Sequence, residues 1–97
     1  MSVIVLVQGT PHPERKEMLA EYQKTARAVI AKHGGQAVAM GSGLGSLYGS
    51  GKFQVGIAIR FPDQAAAEGW YNDPDYQKVL PLRNQAYTAL EINMFQE

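Results

Sequence analysis

The sequence predicts an α+β domain whose elements follow the order β-α-β-β-α-β. Three observations carry this reading: an opening segment that is apolar on both alternations, two amphipathic helical stretches with clear starts, and two later segments that alternate strictly. Residues 2–8 (SVIVLVQ) place Val3, Val5 and Val7 on one face and Ile4 and Leu6 on the other. A strand apolar on both faces is central and covered on both sides. Thr10-Pro11-His12-Pro13 ends it and starts a helix, with Pro13 suited to the first helical position and Glu14 and Glu17 to the first turn. Met18, Leu19, Tyr22, Ala26, Val29, Ile30 and His33 follow at helical spacing as one stripe, and Gly34-Gly35 ends the helix.

Residues 36–40 (QAVAM) read as a short strand. Gly41 to Gly51 holds five glycines and three serines, the composition of a flexible hairpin connection. From Lys52 to Phe61 the apolar Phe53, Val55, Ile57, Ile59 and Phe61 alternate with Gln54, Gly56, Ala58 and Arg60, a strand with one buried face. Pro62 closes it, and Asp63 is a good N-cap for a helix over 64–71. Asn72-Asp73-Pro74-Asp75 repeats a cap with proline at the first position, so a second helical segment starts near 74. Pro81 should kink or split that segment. Thr88 to Gln96 alternates again and forms the final strand.

Composition narrows the function classes. Ninety-seven residues fit a single domain, 1–97. Nine basic and nine acidic side chains cancel, which argues against a nucleic-acid partner. With no cysteine there is no disulfide, no thiolate nucleophile and no zinc-finger spacing. The run Val3–Val7 follows Met1 without a basic leader and is too short to span a membrane. The expectation is a soluble, cytoplasmic protein with no membrane partner. Its arrangement is that of the split βαβ, ferredoxin-like fold, a four-stranded antiparallel sheet with both helices on one face. The other face then carries part of a greasy first strand together with Gly56 and Ala58, and a homodimer packing sheet against sheet would cover it.

The segment 60–83, RFPDQAAAEGWYNDPDYQKVLPLR, resembles the bacterial family of small domains of unknown function numbered thirteen-thirty, in the dimeric α+β-barrel superfamily. Phe61-Pro62, Trp70-Tyr71, Pro74-Asp75-Tyr76 and Leu82-Arg83 match that family's pattern in order and spacing, and Glu21-Tyr22 and His33-Gly34-Gly35 also look like it. The resemblance implies the fold and the dimer, but no reaction. Two departures stand out: the glycine-rich stretch 41–51 replaces a short hairpin, and Asn93-Met94-Phe95-Gln96-Glu97 stands where the family often ends on Val-Glu-Gly. Superfamily members that bind haem use a histidine on the second helix, and this chain has none there, so no cofactor is expected.

A few residues have side chains suited to chemistry. His33, at a helix exit beside two glycines, is a candidate general base, or simply a complement to the helix C-terminal dipole. Tyr22 shares its stripe and is a candidate proton carrier, or a core side chain with a satisfied hydroxyl. Trp70, Tyr71 and Tyr76 gather aromatics at a helix break, where they either line an apolar pocket or wedge the helical pieces onto the sheet. Arg83 falls on the stripe of Tyr76, Val79 and Leu80. A guanidinium there needs an anionic ligand, an internal acid such as Asp75 or Glu91, or a route to solvent. Arg60, opposite the buried face of its strand, is placed at the dimer seam.

Other motifs fail. Ser50-Gly51-Lys52 lacks the first glycine of a phosphate loop, has Phe53 for the Ser/Thr, and precedes a strand. His12 and His33 have no carboxylate at ligand spacing, so no metal site is expected. Three classes remain: a cofactor-free enzyme of the oxygenase or isomerase kind, which the superfamily resemblance implies, acting on a small apolar or aromatic molecule with or without an anionic group; a non-catalytic binder of such a molecule; and a structural or regulatory dimer.

Overall fold

A computed structural model describes residues 1–97. Its elements are β1 (Val3–Pro11), α1 (Lys16–Lys32), β2 (Gln36–Ser42), β3 (Val55–Phe61), α2 (Gln64–Asn72), α3 (Pro74–Gln77), α4 (Leu80–Ala86) and β4 (Tyr87–Gln96). The four strands form one antiparallel sheet in the order β2-β3-β1-β4, the ferredoxin-like topology expected. Val5 sits opposite Ile59 on one side and Met94 on the other, so the apolar first strand is central.

All the helices lie on one face of the sheet. Val3 and Val5 from β1, Ile59 and Phe61 from β3, Tyr22, Ala26 and Val29 from α1, Ala67 and Trp70 from α2, and Tyr76 from α3 make the core. Phe61 and Trp70 stack with ring centroids 5.6 Å apart, and Trp70 lies 4.9 Å from Tyr76. Aromatic pairs at such spacing add about 0.5–1.5 kcal/mol beyond the area they bury. The molecule measures 33 × 31 × 17 Å, a two-layer slab of sheet and helices. Only 14 of 97 residues are buried, and the strand β2 is exposed along its whole length.

Several boundaries differ from the sequence reading. The first helix starts at Lys16 rather than Pro13, because β1 continues through Thr10 and Pro11 beside β4. His12 to Arg15 then form a turn in which the Glu14 amide donates to His12 Nδ1 and the Arg15 amide to the His12 carbonyl. The third strand begins at Val55, since residues 52–54 do not pair as a strand. Of the two outcomes expected at Pro81 the segment takes the split: the proline opens a new helix, α4, where its missing N–H needs no partner.

The caps behave as their residue types require. Asp63 accepts the Ala66 amide at 2.8 Å to start α2. At the exit of α1 the Gly35 amide donates to the Ile30 carbonyl and the Gly34 amide to the Ala31 carbonyl, with Gly34 at φ +80°. That is a Schellman closure, in which the left-handed position favours glycine. Gly35 is constrained by space instead: a Cβ there would lie 2.6 Å from Ile30 Cγ2 and 2.7 Å from the Phe61 ring. Gly35→Ala should therefore lower stability by about 1–3 kcal/mol through overpacking. Urea unfolding at fixed protein concentration would show a lower midpoint with an unchanged slope; an unchanged midpoint would mean the exit is looser than described.

Candidate functional site

Four helices bring the aromatic hydroxyls and Arg83 together, Tyr71 coming from α2. Tyr22 on α1 and Tyr76 on α3, 54 residues apart, share a buried hydrogen bond of 2.8 Å between their hydroxyls. Arg83 on α4 donates from Nη1 to the Tyr71 hydroxyl at 3.1 Å and to the Tyr76 hydroxyl at 3.3 Å. Its Cζ also lies 5.7 Å from the Tyr71 ring centroid. Tyr76 is fully buried, so its polar oxygen has to be satisfied inside the protein. The arginine does this from one side and Tyr22 from the other.

Arg83 has no carboxylate partner. Its Nε donates to Asn84 Oδ1 at 3.2 Å, and neither Asp75 nor Glu91 pairs with it. The internal acid considered from sequence is replaced by two phenols. Burial works against the guanidinium charge, and the Tyr71 and Tyr76 hydroxyls outweigh that and hold its pKa above the ordinary value. With Arg83 donating to the Tyr76 oxygen, the Tyr76 proton is free to go to Tyr22. Burial above all, and then the Tyr76 phenol beside it, push the Tyr22 hydroxyl far above its usual pKa. At neutral pH Tyr22 keeps its proton, so it is a donor and not a base.

A cavity of about 260 Å³ lies between α1 and the sheet. Tyr22, Trp70 and Tyr87 line it together with Ile30, Ile57 and Ile59, and Gln23 and Arg27 of α1 also border it. Tyr22 and Tyr87 meet edge to face at 6.2 Å. The Trp70 indole N–H is buried with no acceptor in the protein. Tyr22 therefore belongs both to the cavity wall and to the hydroxyl chain that ends at Arg83. Tyr71, Tyr76 and Arg83 stand behind it and do not line the cavity. Of the three aromatics expected around a pocket only Trp70 is a wall residue, and Tyr22, named as a proton carrier, is another. Tyr87 is a wall residue that the sequence did not single out, because a tyrosine at the start of a strand gives no signal of its own.

His33 is placed away from this cavity. Its Nε2 donates to Asp73 Oδ2 at 2.8 Å, and it does not line the cavity. Lys32 Nζ reaches the same oxygen at 3.0 Å, while Asp73 Oδ1 accepts the Asp75 amide at 2.9 Å and caps α3. Asp73, only 6% exposed, thus ties the end of α1 to the start of α3. Arg60 projects from the outer face of the sheet and is held within its own protomer: Nε and Nη2 donate to the two carboxylate oxygens of Glu97 at 2.7 and 3.0 Å. No three His, Asp or Glu side chains gather as a metal-binding group. No helix is long and apolar enough to cross a membrane.

The Asp73 junction sets an acid dependence. The His33 hydrogen bond first, then the Asp75 amide and Lys32, hold the Asp73 carboxyl well below its ordinary pKa. Arg60 and Ser2 likewise lower Glu97, to about 2. A depressed carboxylate stabilises the fold fully above its unfolded pKa, about 4, and loses that contribution as pH falls toward the folded value. Stability should thus decline from about pH 4 downward, and Asp73→Asn should make this decline shallower. Thermal unfolding of both proteins between pH 7 and pH 2 checks it; equal slopes would remove Asp73 from the account.

No curated protein matches the chain in sequence. Among solved structures it is similar to a protein of unknown function from Rhodopseudomonas palustris, with TM-score 0.80 at 19% identity over 99% of this chain and 82% of that one. It is similar to a dimeric ferredoxin-like protein of unknown function from Jannaschia sp. CCS1, with TM-score 0.72 at 14% identity over 100% of both chains. A dabb family protein with a ferredoxin-like fold from Mesorhizobium loti aligns with TM-score 0.65 at 15% identity over 99% of this chain and 96% of that one. At such identities the likeness shows the fold, which is ferredoxin-like. The tyrosine chain, the Asp63 and Asp73 caps and Arg83 all fall within residues 6–94, which match the family described as a domain of unknown function (DUF1330), and the chain belongs to that family.

Proposed function

We propose that the protein is a homodimer that binds a small apolar or aromatic molecule bearing an anionic or hydrogen-bond-accepting group, in the cavity between α1 and the sheet. The observation that carries this reading is the position of Tyr22. It forms part of an apolar wall while its hydroxyl is backed, through Tyr76, by an arginine with no acid partner. Ligand sites are mostly apolar with a few fixed polar groups, and this cavity has that composition. Its volume of about 260 Å³ suits one or two fused rings and little more.

Binding is favoured over proton-transfer catalysis by two features. Tyr22 holds its proton strongly, and His33 is engaged by Asp73 away from the cavity. Arg83 is then a positioning residue: it orders the hydroxyl protons and supplies positive charge behind Tyr22. The homodimer is supported by the uncovered sheet face and by structural neighbours described as dimeric, among them those from Bacteroides fragilis, Thermobifida fusca and Jannaschia.

Trp70 is the single tryptophan and lies in the cavity wall, so its fluorescence reports occupancy. Native mass spectrometry for a copurified molecule, followed by titration with paired naphthalene carboxylates and naphthalene alcohols, tests the proposal. Carboxylates should bind more tightly, and both Tyr22→Phe and Arg83→Met should weaken them about tenfold or more while changing the alcohols little, the size of a hydrogen bond to a charged group. Equal losses for both ligand classes would reduce Arg83 to a structural residue. No response to any ring compound, with no copurified molecule, would overturn the binding reading.

A further inference from the structure

The glycine-rich stretch between β2 and β3 forms an arm with its own anatomy. Its base is pinned. The Gly43 amide donates to the Gln54 carbonyl at 2.8 Å, and the Gln54 amide donates to the Gly9 carbonyl at 3.1 Å. A Cβ at Gly43 would overlap the Phe53 carbonyl oxygen, so the two stems of the arm press together as closely as backbone allows. Beyond this base the chain carries Leu44, Leu47 and Tyr48, which are 102%, 107% and 99% exposed. Scattered surface leucines need no explanation, but three large apolar side chains within five residues, all wholly in water, do.

The arm does not fold down to bury them on its own protomer. It arches over the outer face of the sheet and leaves an open cleft of about 830 Å³, bordered by Leu47 and Tyr48 on the arm's side, which stay wholly exposed, and by Leu6, Gln8, Ala39, Gly56 and Ala58 on the sheet's. Those sheet residues are small or apolar apart from Gln8, and Leu6 is itself 38% exposed. One protomer therefore presents an apolar tip with no seat, and beside it an apolar seat with no occupant. A two-fold axis satisfies both at once, because each copy offers the same tip and the same seat.

We infer that the 43–53 arm is exchanged between two copies of this chain, the tip formed by Leu44, Leu47 and Tyr48 seating in the partner's cleft against the outer face of its sheet. The inference rests on the homodimer reading and adds to it which segment crosses over. It also bears on the ligand cavity. Val7, Met40 and Ile57 border both the cleft and the cavity, so an arm seated in the cleft packs against the far side of the cavity wall.

The chain has no cysteine, which makes engineered thiols unambiguous. Sedimentation equilibrium of the wild type should show a dimer at micromolar concentration, and Leu47→Ser combined with Tyr48→Ser should raise its dissociation constant about a hundredfold or more, at roughly tenfold per lost apolar anchor. Both side chains are fully exposed in the protomer, so folding, checked by circular dichroism, should be unchanged. Chains carrying Leu47→Cys alone, mixed with chains carrying Leu6→Cys alone, should join through a short thiol cross-linker into a species of twice the protomer mass. A monomeric wild type would overturn the dimer and the arm together. A dimeric wild type whose double variant associates equally well would overturn the arm and leave the dimer standing. So would cross-linking confined within single chains that carry both cysteines.

Discussion

The hydroxyl of Tyr76 is the group around which the helical layer is organised. A phenol this deeply buried loses its water and must recover hydrogen bonds inside the protein, or the layer is destabilised by about 1–3 kcal/mol. The partners come from two directions, Tyr22 on α1 and Arg83 on α4. One oxygen thus fixes the mutual placement of α1, α3 and α4. The ring of the same residue packs on Trp70 and Tyr71 and fixes α2. A second polar junction, Asp73 with His33 and Lys32, locks the far end of α1 onto the same helical corner. Between the two junctions α1 is held at its middle and at its end, and the cavity lies under it.

This arrangement explains why the segment after Asp73 is broken. A single helix from Pro74 to Ala86 would need Pro81 to donate an N–H it does not have. Splitting the segment at Lys78 and Val79 places Pro81 in the first turn of α4, where no donor is required, and Asp73 caps the first piece. The break is local chemistry. The side chains on either side of it, Tyr76 and Arg83, are nevertheless brought to a single hydrogen bond.

The architecture was legible in the sequence to the extent that its causes are local. Asp63 and Asp73 followed by helix formers, Pro74 at a first helical position, Gly34-Gly35 at a helix exit and the strict alternation of 52–61 each act over a few residues, and each appears where the pattern put it, save that the strand pairs only from Val55. Pro13 misled for a physical reason. Pairing with β4 holds Thr10 and Pro11 extended, and the helix waits until Lys16. The site was legible only as a set of residue types. That Arg83 needed a partner follows from its stripe, but the partners are phenols 7 and 12 residues away and no acid. Asp73 meets His33 across 40 residues, and Tyr22 meets Tyr76 across 54. Such pairings are products of the fold, and nothing in the spacing of the residues announces them.

The outer face of the sheet is divided, and the division bears on how two copies would orient. Along β1, Leu6 lies opposite Ala58 of β3 on one side and Asn93 of β4 on the other, while Gln8 lies opposite Gly56 and Glu91. At the end of the sheet nearest the arm, small and apolar side chains therefore occupy the side toward β2, and carboxylate and amide groups the side along β4; at the other end Ile4 lies between Arg60 and Phe95 and the pattern is reversed. Stacking two such faces in the wrong sense would bury Glu91 and Asn93 against alanine and leucine, leaving polar groups without water or partners. Keeping apolar half against apolar half avoids that cost and leaves β4 at the rim, where its polar groups stay solvated. The same sequence difference that lengthens the β2–β3 connection thus adds apolar surface to the half of the sheet that already lacks a cover.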